Sequence, residues 1–180
     1  MTPYPVLGGL SEVELQAAVL DGECYRLGDA YLPIGVQPTI EARAAAAIGI
    51  RSPRLVAALA TAAWVWGVLP APPAPGEYLV DIRARWRPPA PDRLHVTESV
   101  LRPGDVVRFG DAAVTSPLRT AIDLARFRTE FADAEAALAR ELAELGGFGL
   151  AEAVDAMERG RNLHGKREAA RRLRSALSPS

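Results

Sequence analysis

Residues 114–126, VTSPLRTAIDLAR, place the end of a strand, a turn and the start of a helix in one short stretch. Val114 ends a β-prone run, and Thr115 or Ser116 can accept hydrogen bonds from the first N–H groups of a helix as its N-cap. Pro117 suits the first helical position, where its missing N–H costs nothing. The spacing of the apolar residues that follow predicts one buried helical face, formed by Leu118, Ala121, Ile122 and Ala125. We therefore expect a capped helix that docks on a sheet.

Arg119 and Asp123 are four residues apart in this stretch and would share one face of the helix. A pair in this order opposes the helix dipole, so it would stabilise an exposed helix by only about 0.3 kcal/mol. The structural interpretation is that the pair orients the helix on its sheet. The functional alternative is that the two residues form a defined polar site.

The first 38 residues predict a short helix followed by a β-hairpin. Ser11 and Glu14 form the pattern of a capping box ahead of an apolar run. Two β-prone runs joined by Gly28-Asp29 then favour a hairpin. A helix followed by a hairpin is half of a winged helix, so we expect residues 1–38 to form a clipped, winged-helix-like segment.

Residues 39–180 are expected to form one α+β domain. Two Ala-rich helices come first, the second over residues 55–69, where Trp64 and Trp66 are interpreted as core residues. The proline-rich stretch 70–76 predicts a loop that crosses to a sheet.

Three β-prone runs follow the proline-rich stretch, and their alternation of apolar and polar residues predicts half-buried antiparallel strands. A tight turn at Gly110-Asp111 would raise the number of strands to four. Helical patterns complete the chain. The predicted fold class is α+β, with a small, mostly antiparallel sheet flanked by helices and a helical C-terminus.

Composition limits the class of protein. A chain of 180 residues with 49% hydrophobic content can form one compact domain or two small ones. The sequence has no apolar run long enough for a membrane span and no signal-peptide pattern at its N-terminus. A single cysteine, Cys24, excludes an internal disulfide. We expect a cytoplasmic protein without a membrane partner.

The formal net charge of −1 conceals an uneven distribution. Residues 1–50 carry six acids and two bases, whereas residues 51–128 carry seven acids and eleven bases. Basic residues then crowd the tail from residue 159, where Glu168 alone opposes them. Such a tail can follow a phosphate backbone, and a solvated helical face is the alternative interpretation.

The residue patterns of common catalytic and metal sites are missing from this sequence. His95 and His164 lie far apart with no carboxylate at ligand spacing. No nucleophile elbow, Walker A motif or dinucleotide-binding motif occurs. Asp105 and Asp111 flank turn glycines, where aspartate is common, and an acid does not precede Lys166 at the spacing of a metal-dependent nuclease. We therefore expect no enzymatic activity and no cofactor.

Three stretches resemble one protein family and occur in the order that the family shows. They are CYRLGDAYLP at residues 24–33, TAAWVWGV at residues 61–68 and VTSPLRTAIDLAR at residues 114–126. Together they resemble the AbiEi antitoxin family of type IV toxin–antitoxin systems, of the actinobacterial type. The resemblance implies a winged-helix DNA-binding segment, an α+β antitoxin domain and repression of the protein's own operon. It also implies a nucleotidyltransferase-like toxin encoded nearby, and we expect the chain to lack the C-terminal endonuclease-like domain of many relatives.

Three positions differ from the family pattern. The hairpin carries Arg26 followed by Leu27-Gly28-Asp29, where the family's wing is rich in arginine. Residues 58–60 are Ala-Leu-Ala in place of a Ser-His-Arg run, and Thr97-Glu98 aligns with a His-Arg pair. Each difference removes basic or polar character, which favours an alternative function without DNA binding.

The sequence therefore predicts a non-enzymatic, antitoxin-like transcriptional regulator that binds promoter DNA of its own operon. The alternative is a protein–protein interaction module on the same scaffold, with the acidic N-terminal segment as its docking face. The candidate DNA-binding residues are Arg26, Arg159, Arg161, Lys166, Arg167, Arg171 and Arg174. Arg119 and Asp123 form the polar pair within the family motif.

Overall fold

A computed structural model describes residues 9–49, 51–84, 94–159 and 165–178. The α+β class is confirmed. Within the described residues, helix α1 spans Glu12–Leu20, and strands β1 (Cys24–Leu27) and β2 (Ala30–Pro33) follow it. The next elements are helix α2 (Ile40–Ile48), strand β3 (Val56–Ala57) and helix α3 (Leu59–Val65).

The second half of the chain carries the rest of the sheet and a helical C-terminus. Its strands are β4 (Gly76–Asp81), β5 (Leu94–Ser99), β6 (Val106–Phe109) and β7 (Ala112–Thr115). Its helices are α4 (Pro117–Phe127), α5 (Asp133–Gly146), α6 (Leu150–Glu158) and α7 (Lys166–Leu177). The helical C-terminus is therefore confirmed.

The predicted capping box and hairpin are both present at the N-terminal end. The Ser11 N–H donates to a Glu14 carboxylate oxygen at 2.7 Å, and the Glu14 N–H donates to Ser11 Oγ at 3.3 Å. Strands β1 and β2 pair antiparallel around a two-residue turn that begins at Gly28. Gly28 has a φ of +60°, and a Cβ there would lie 3.1 Å from the ring of Trp64. Backbone conformation and space therefore both favour glycine at this turn.

The main sheet is mixed, so the prediction of a mostly antiparallel sheet is wrong. Its strand order is β5-β4-β3-β7-β6, with β3/β4 and β6/β7 antiparallel but β4/β5 and β3/β7 parallel. A parallel pair needs a crossover of about a dozen residues, and residues 82–93 between β4 and β5 are long enough to provide one. Strands β3 and β7 run parallel, and each leads into a helix.

Strand β3 replaces the start of the helix predicted over residues 55–69. Ala57 pairs with Tyr78 on one side and Val114 on the other, so this short strand is the centre of the sheet. Helix α3 begins only at Leu59, which has a φ of +50°. Glu77 stabilises this start, because its carboxylate accepts the Ala60 N–H at 2.8 Å.

Alternation along the strands separates two apolar faces of the sheet. Ala57, Tyr78 and Val114 belong to a core that contains α2, α3 and the hairpin. Val56 and Leu79 face the other way, in a small cluster with Leu101 and Val106 packed against it. The hairpin shares its core with α2, and the division between residues 38 and 39 stays a prediction.

Helices α4 to α7 form a separate apolar cluster in which α4 is central. Thr120, Leu124 and Ala125 of α4 are fully buried, as are Leu142 of α5 and Leu173 of α7. Every residue of α4 from 119 to 125 is buried, whereas the spacing of apolar residues predicted only one buried face of this helix. The helix packs mainly against α5, α7 and α3 rather than docking on the sheet as expected. No described helix is long and apolar enough to cross a membrane.

Candidate functional site

Helix α7 separates its small apolar residues from its arginines. Ala169, Leu173 and Ala176 are buried against the α4–α7 cluster. Arg167, Arg171 and Arg174 repeat with the same helical spacing on the exposed side of the helix. Lys166, also predicted as a contact, is the half-buried first residue of the helix. We call Arg167, Arg171 and Arg174 the α7 basic face.

Glu168 partly neutralises this face. Arg171 donates to its two carboxylate oxygens at 2.5 and 3.0 Å, and Arg172 Nε donates at 2.9 Å. These hydrogen bonds, with Arg171 the larger contributor, lower the pKa of Glu168 to about 2. Arg167 and Arg174 make no ion pair with any other residue in the described parts of the chain. Their charges are therefore available to an external anion.

Arg172 has a structural role that its position in the basic tail does not reveal. Its guanidinium donates to the backbone carbonyl oxygens of Ala125, Arg128 and Thr129 at 3.1, 2.7 and 3.2 Å. These carbonyls lie at and just beyond the C-terminal end of α4, where a helix has acceptors without partners. Arg172 therefore attaches α7 to α4.

The remaining predicted DNA contacts do not join the α7 basic face. Arg26 is exposed on β1, where its Nε donates to Gly28 O at 2.9 Å and its Nη2 lies 3.9 Å from the Asp29 carboxylate. The hairpin packs in the core with α2 and α3, whereas α7 packs with α4, α5 and α6. Arg159 caps the C-terminal end of α6 and is exposed. Arg161 lies outside the described residues.

Arg119 and Asp123 form a buried ion pair within a larger polar network. Arg119 Nε donates to Asp123 Oδ2 at 2.7 Å, and Arg119 Nη1 donates to Asp105 Oδ2 at 2.5 Å. The same guanidinium donates to Val100 O at 3.2 Å and to Ser99 Oγ at 2.7 Å. Arg119 therefore links α4 to the end of β5 and to the turn before β6.

Asp123 has no exposed side-chain surface and also accepts a hydrogen bond from Arg126 Nη1 at 3.0 Å. Burial raises the pKa of the Asp123 carboxyl, while the two guanidiniums oppose that shift. Burial also disfavours the charged form of Arg119, but the carboxylates of Asp123 and Asp105 outweigh it and raise the pKa of the guanidinium. The geometry supports the structural interpretation of the pair, in which it orients α4.

Sequence spacing could identify only part of this network. Residues 119 and 123 are one helical turn apart, which made their contact predictable. Asp105 is fourteen positions from Arg119, so their contact depends on the fold. Pro103 and Gly104, with φ of +87° at the glycine, form a turn closed by the Asp105 N–H donating to Arg102 O at 3.0 Å. This turn places the Asp105 carboxylate beside α4.

A cleft of about 630 Å³ lies between the hairpin turn, α2 and the proline-rich connection to β4. Its polar lining includes His95, Tyr78 and Arg51. Tyr78 donates its hydroxyl to Ala47 O at 2.8 Å, and Arg51 pairs with Asp29. Three or more histidine, cysteine or carboxylate side chains do not meet at a possible metal site in the described parts of the chain.

Comparison with known proteins gives no family assignment. The sequence matches no family model, and no curated protein matches it significantly. The resemblance to the AbiEi antitoxins therefore depends on the three stretches of sequence alone.

Proposed function

We propose that this protein is a non-enzymatic, antitoxin-like transcriptional regulator that binds promoter DNA of its own operon. The α7 basic face is the observation that carries the proposal. The resemblance to AbiEi antitoxins supports it, and through that resemblance a nucleotidyltransferase-like toxin encoded nearby is the proposed functional partner. The protein is proposed to act in the cytoplasm.

The geometry of α7 suits contact with the phosphate backbone rather than with base edges. The first and last of the three arginines are seven positions apart, which corresponds to about 10 Å along a helix. The opposite side of α7 is buried, so the helix can approach DNA only with its outer surface. Arginine contacts to phosphates position a protein on DNA and make its affinity sensitive to salt. We assign the α7 basic face this positioning role.

The helix and hairpin at the N-terminal end are the elements proposed to read sequence. Arg26 is exposed on β1, as a contact to DNA from a wing requires. Its neighbour Asp29 reduces the positive charge at the turn, so Arg26 is expected to contribute less affinity than the α7 basic face. Removal of Arg26 should therefore change sequence preference more than salt dependence.

Binding of the chain's own upstream DNA tests the proposal. Fluorescence anisotropy would be measured for the natural protein and for the triple variant Arg167→Gln/Arg171→Gln/Arg174→Gln across a range of salt concentrations. Each lost phosphate contact lowers the slope of log affinity against log salt by about 0.9, so three contacts lower it by about 2.7. The control is Arg83→Gln/Arg108→Gln, which removes two exposed arginines that lie away from α7, and the two variants are compared by the change in slope per charge removed.

A retained slope in the triple variant would refute the role of the α7 basic face. Absence of any salt-sensitive binding by the natural protein would refute DNA binding as its function. The control variant should lose little affinity, because its two arginines belong to a 3₁₀ turn and to strand β6. Equal losses per removed charge in both variants would mean that overall charge, rather than α7, determines the affinity.

A second candidate function is a protein–protein interaction module. Its specific support is the apolar surface around α1, where Val13 is 76% exposed and Leu20 is 88% exposed. Only Leu15 of α1 is buried, against Cys24 and Tyr31 of the hairpin. Exposed apolar side chains of this size are common at protein interfaces when they cluster. The surrounding acidic charge would then favour a basic partner.

The second candidate makes a distinct prediction. A protein encoded beside this one should co-purify with it, and Val13→Ser/Leu20→Ser should remove that partner, whereas Arg167→Gln/Arg171→Gln/Arg174→Gln should retain it. Glu12 and Glu14 remain in this variant, so the acidic character of α1 is unchanged. Co-purification that persists in the variant would exclude this apolar surface as the interface.

A further inference from the structure

A pocket of about 220 Å³ lies at the start of α4, between the turn before β6 and the C-terminal end of α6. Its apolar walls include Leu118, Ile122 and Met157. Its charged lining is mainly arginine, from four separate positions in the chain: Arg102, Arg119, Arg126 and Arg159. We call this cavity the arginine pocket.

Two of the four arginines already have carboxylate partners. Asp105 accepts from Arg119 at 2.5 Å, and Asp123 accepts from both Arg119 and Arg126, at 2.7 and 3.0 Å. The four arginines of the lining, counted together with Asp105 and with Asp123 behind the pocket wall, therefore carry a net charge of +2. The excess positive charge must come from the other two arginines.

Arg102 and Arg159 supply that excess charge. Neither side chain makes an ion pair with any other residue that the structure describes. Arg102 is half-buried in the turn before β6, whereas Arg159 is exposed at the end of α6. Both residues thus line the same cavity from different elements. Arginine side chains bind the oxygens of phosphate groups through charged, often bidentate hydrogen bonds.

Ser116 adds a neutral donor to this arrangement. Its Oγ accepts the Arg119 N–H at 3.3 Å as the N-cap of α4, which leaves the hydroxyl proton able to donate to a ligand. The apolar walls lower the local dielectric constant and strengthen any ionic contact inside. A water molecule occupies about 30 Å³ in the liquid, so the pocket has room for one phosphate group with part of its carrier or a few waters.

We propose that the arginine pocket binds a phosphate group, with Arg102 and Arg159 as the contacting cations. Arg119 and Arg126 hold the pocket wall in place through Asp105 and Asp123. The phosphate has two possible sources, which are a DNA backbone and a free phosphorylated small molecule. This inference does not depend on DNA binding by α7, because none of these residues belongs to the α7 basic face.

Titration with inorganic phosphate, and separately with a short DNA duplex, tests the inference. Isothermal calorimetry would be performed at constant ionic strength, adjusted with sodium chloride, on the natural protein and on Arg102→Gln/Arg159→Gln. We expect the double substitution to weaken phosphate binding at least tenfold, because it removes both unpaired guanidiniums. The control is Arg167→Gln/Arg174→Gln, which removes the same number of charges from α7 and should leave the affinity for inorganic phosphate unchanged.

The two titrations also identify the source of the phosphate. Weakening with inorganic phosphate alone supports a small phosphorylated ligand, and weakening with duplex alone supports a backbone contact. Weakening with both supports one site that accepts either source. The inference is overturned if neither probe binds saturably, or if the double variant binds both as tightly as the natural protein. Urea unfolding of the variant, with an unchanged midpoint, confirms that the comparison is made between folded proteins.

Discussion

Replacement of Asp123 with alanine should strongly destabilise the protein, because it leaves two guanidiniums without their shared carboxylate. The Asp123 carboxylate is completely buried and accepts charged hydrogen bonds from Arg119 at 2.7 Å and Arg126 at 3.0 Å. The side chains of these arginines are only 6% and 5% exposed, so water can replace the lost contacts only in part. Asp105 would remain as a partner for Arg119.

Two independent arguments give the magnitude of this effect. A hydrogen bond to a charged group contributes about 1.5–3 kcal/mol, so two such bonds give about 3–6 kcal/mol. Removal of one partner from a buried ion pair costs about 3–5 kcal/mol in other proteins. We therefore expect the free energy of unfolding to fall by about 4 kcal/mol. At about 2–4 °C per kcal/mol for a chain of this size, the melting temperature should fall by about 8–16 °C.

Urea unfolding followed by circular dichroism measures this change. Asp155→Ala is the matched control, since Asp155 is an exposed aspartate within helix α6, and its substitution should change the stability by less than about 0.5 kcal/mol. A loss below about 1 kcal/mol for Asp123→Ala would refute the reasoning from burial. DNA affinity, measured where the variant is fully folded, should not change. If affinity fell while the urea midpoint stayed the same, Asp123 would be a binding residue.

Three further predictions concern turns, titration and helix attachment. Gly28→Ala should lower the free energy of unfolding, measured in urea, by about 2–3 kcal/mol, and Gly110→Ala should lower it by about 1 kcal/mol. Both glycines have φ of +60°, but only a Cβ at Gly28 would contact a buried tryptophan ring. The Glu168 carboxyl should titrate near pH 2 by NMR, and Arg171→Gln should raise that pKa. The folded-state pKa of Glu168 lies below the ordinary 4.5. The ionised Glu168 carboxylate should therefore contribute fully to stability above pH 4.5, and this contribution should be lost as the pH falls towards 2. Arg172→Gln should lower the free energy of unfolding by about 2–3 kcal/mol in the same urea assay, whereas Arg171→Gln, at an exposed position, should shift the urea midpoint much less.

Local sequence signals predicted the ends of several elements correctly. Ser116 is the N-cap of α4, with Pro117 as its first residue, as the residue types required. Ser11 caps α1, and Gly28 lies in the hairpin turn. These features depend on residues within a few positions of one another. Hydrogen bonding and backbone conformation at that range are determined almost entirely by side-chain type.

Features that depend on contacts between distant residues were predicted poorly. Strand β3 has only two residues, Val56 and Ala57, inside an Ala-rich run with high helix propensity, and pairing with β4 and β7 outweighs that propensity. The parallel pairing of β4 with β5 is a property of strand direction that alternation along the strands does not reveal. The contact between Asp105 and Arg119 likewise joins residues that are distant in the sequence, so it could not be predicted from local spacing. The α7 basic face, in contrast, could have been separated from Arg172 by helical spacing alone.

Burial divides the arginines of this protein into two functional groups. Arg119, Arg126 and Arg172 use their donors on internal carboxylates and carbonyl oxygens, so their charges stabilise the packing of α4. Arg167 and Arg174 have no such internal partners among the described residues, and a charge at the surface without a partner contributes little to stability. The sequence carries 20 arginines against one lysine, so residue type cannot distinguish the groups. The burial of each side chain does distinguish them: the arginines on the exposed side of α7 remain accessible to an external anion, whereas Arg119 is buried with Asp123 and stabilises the fold.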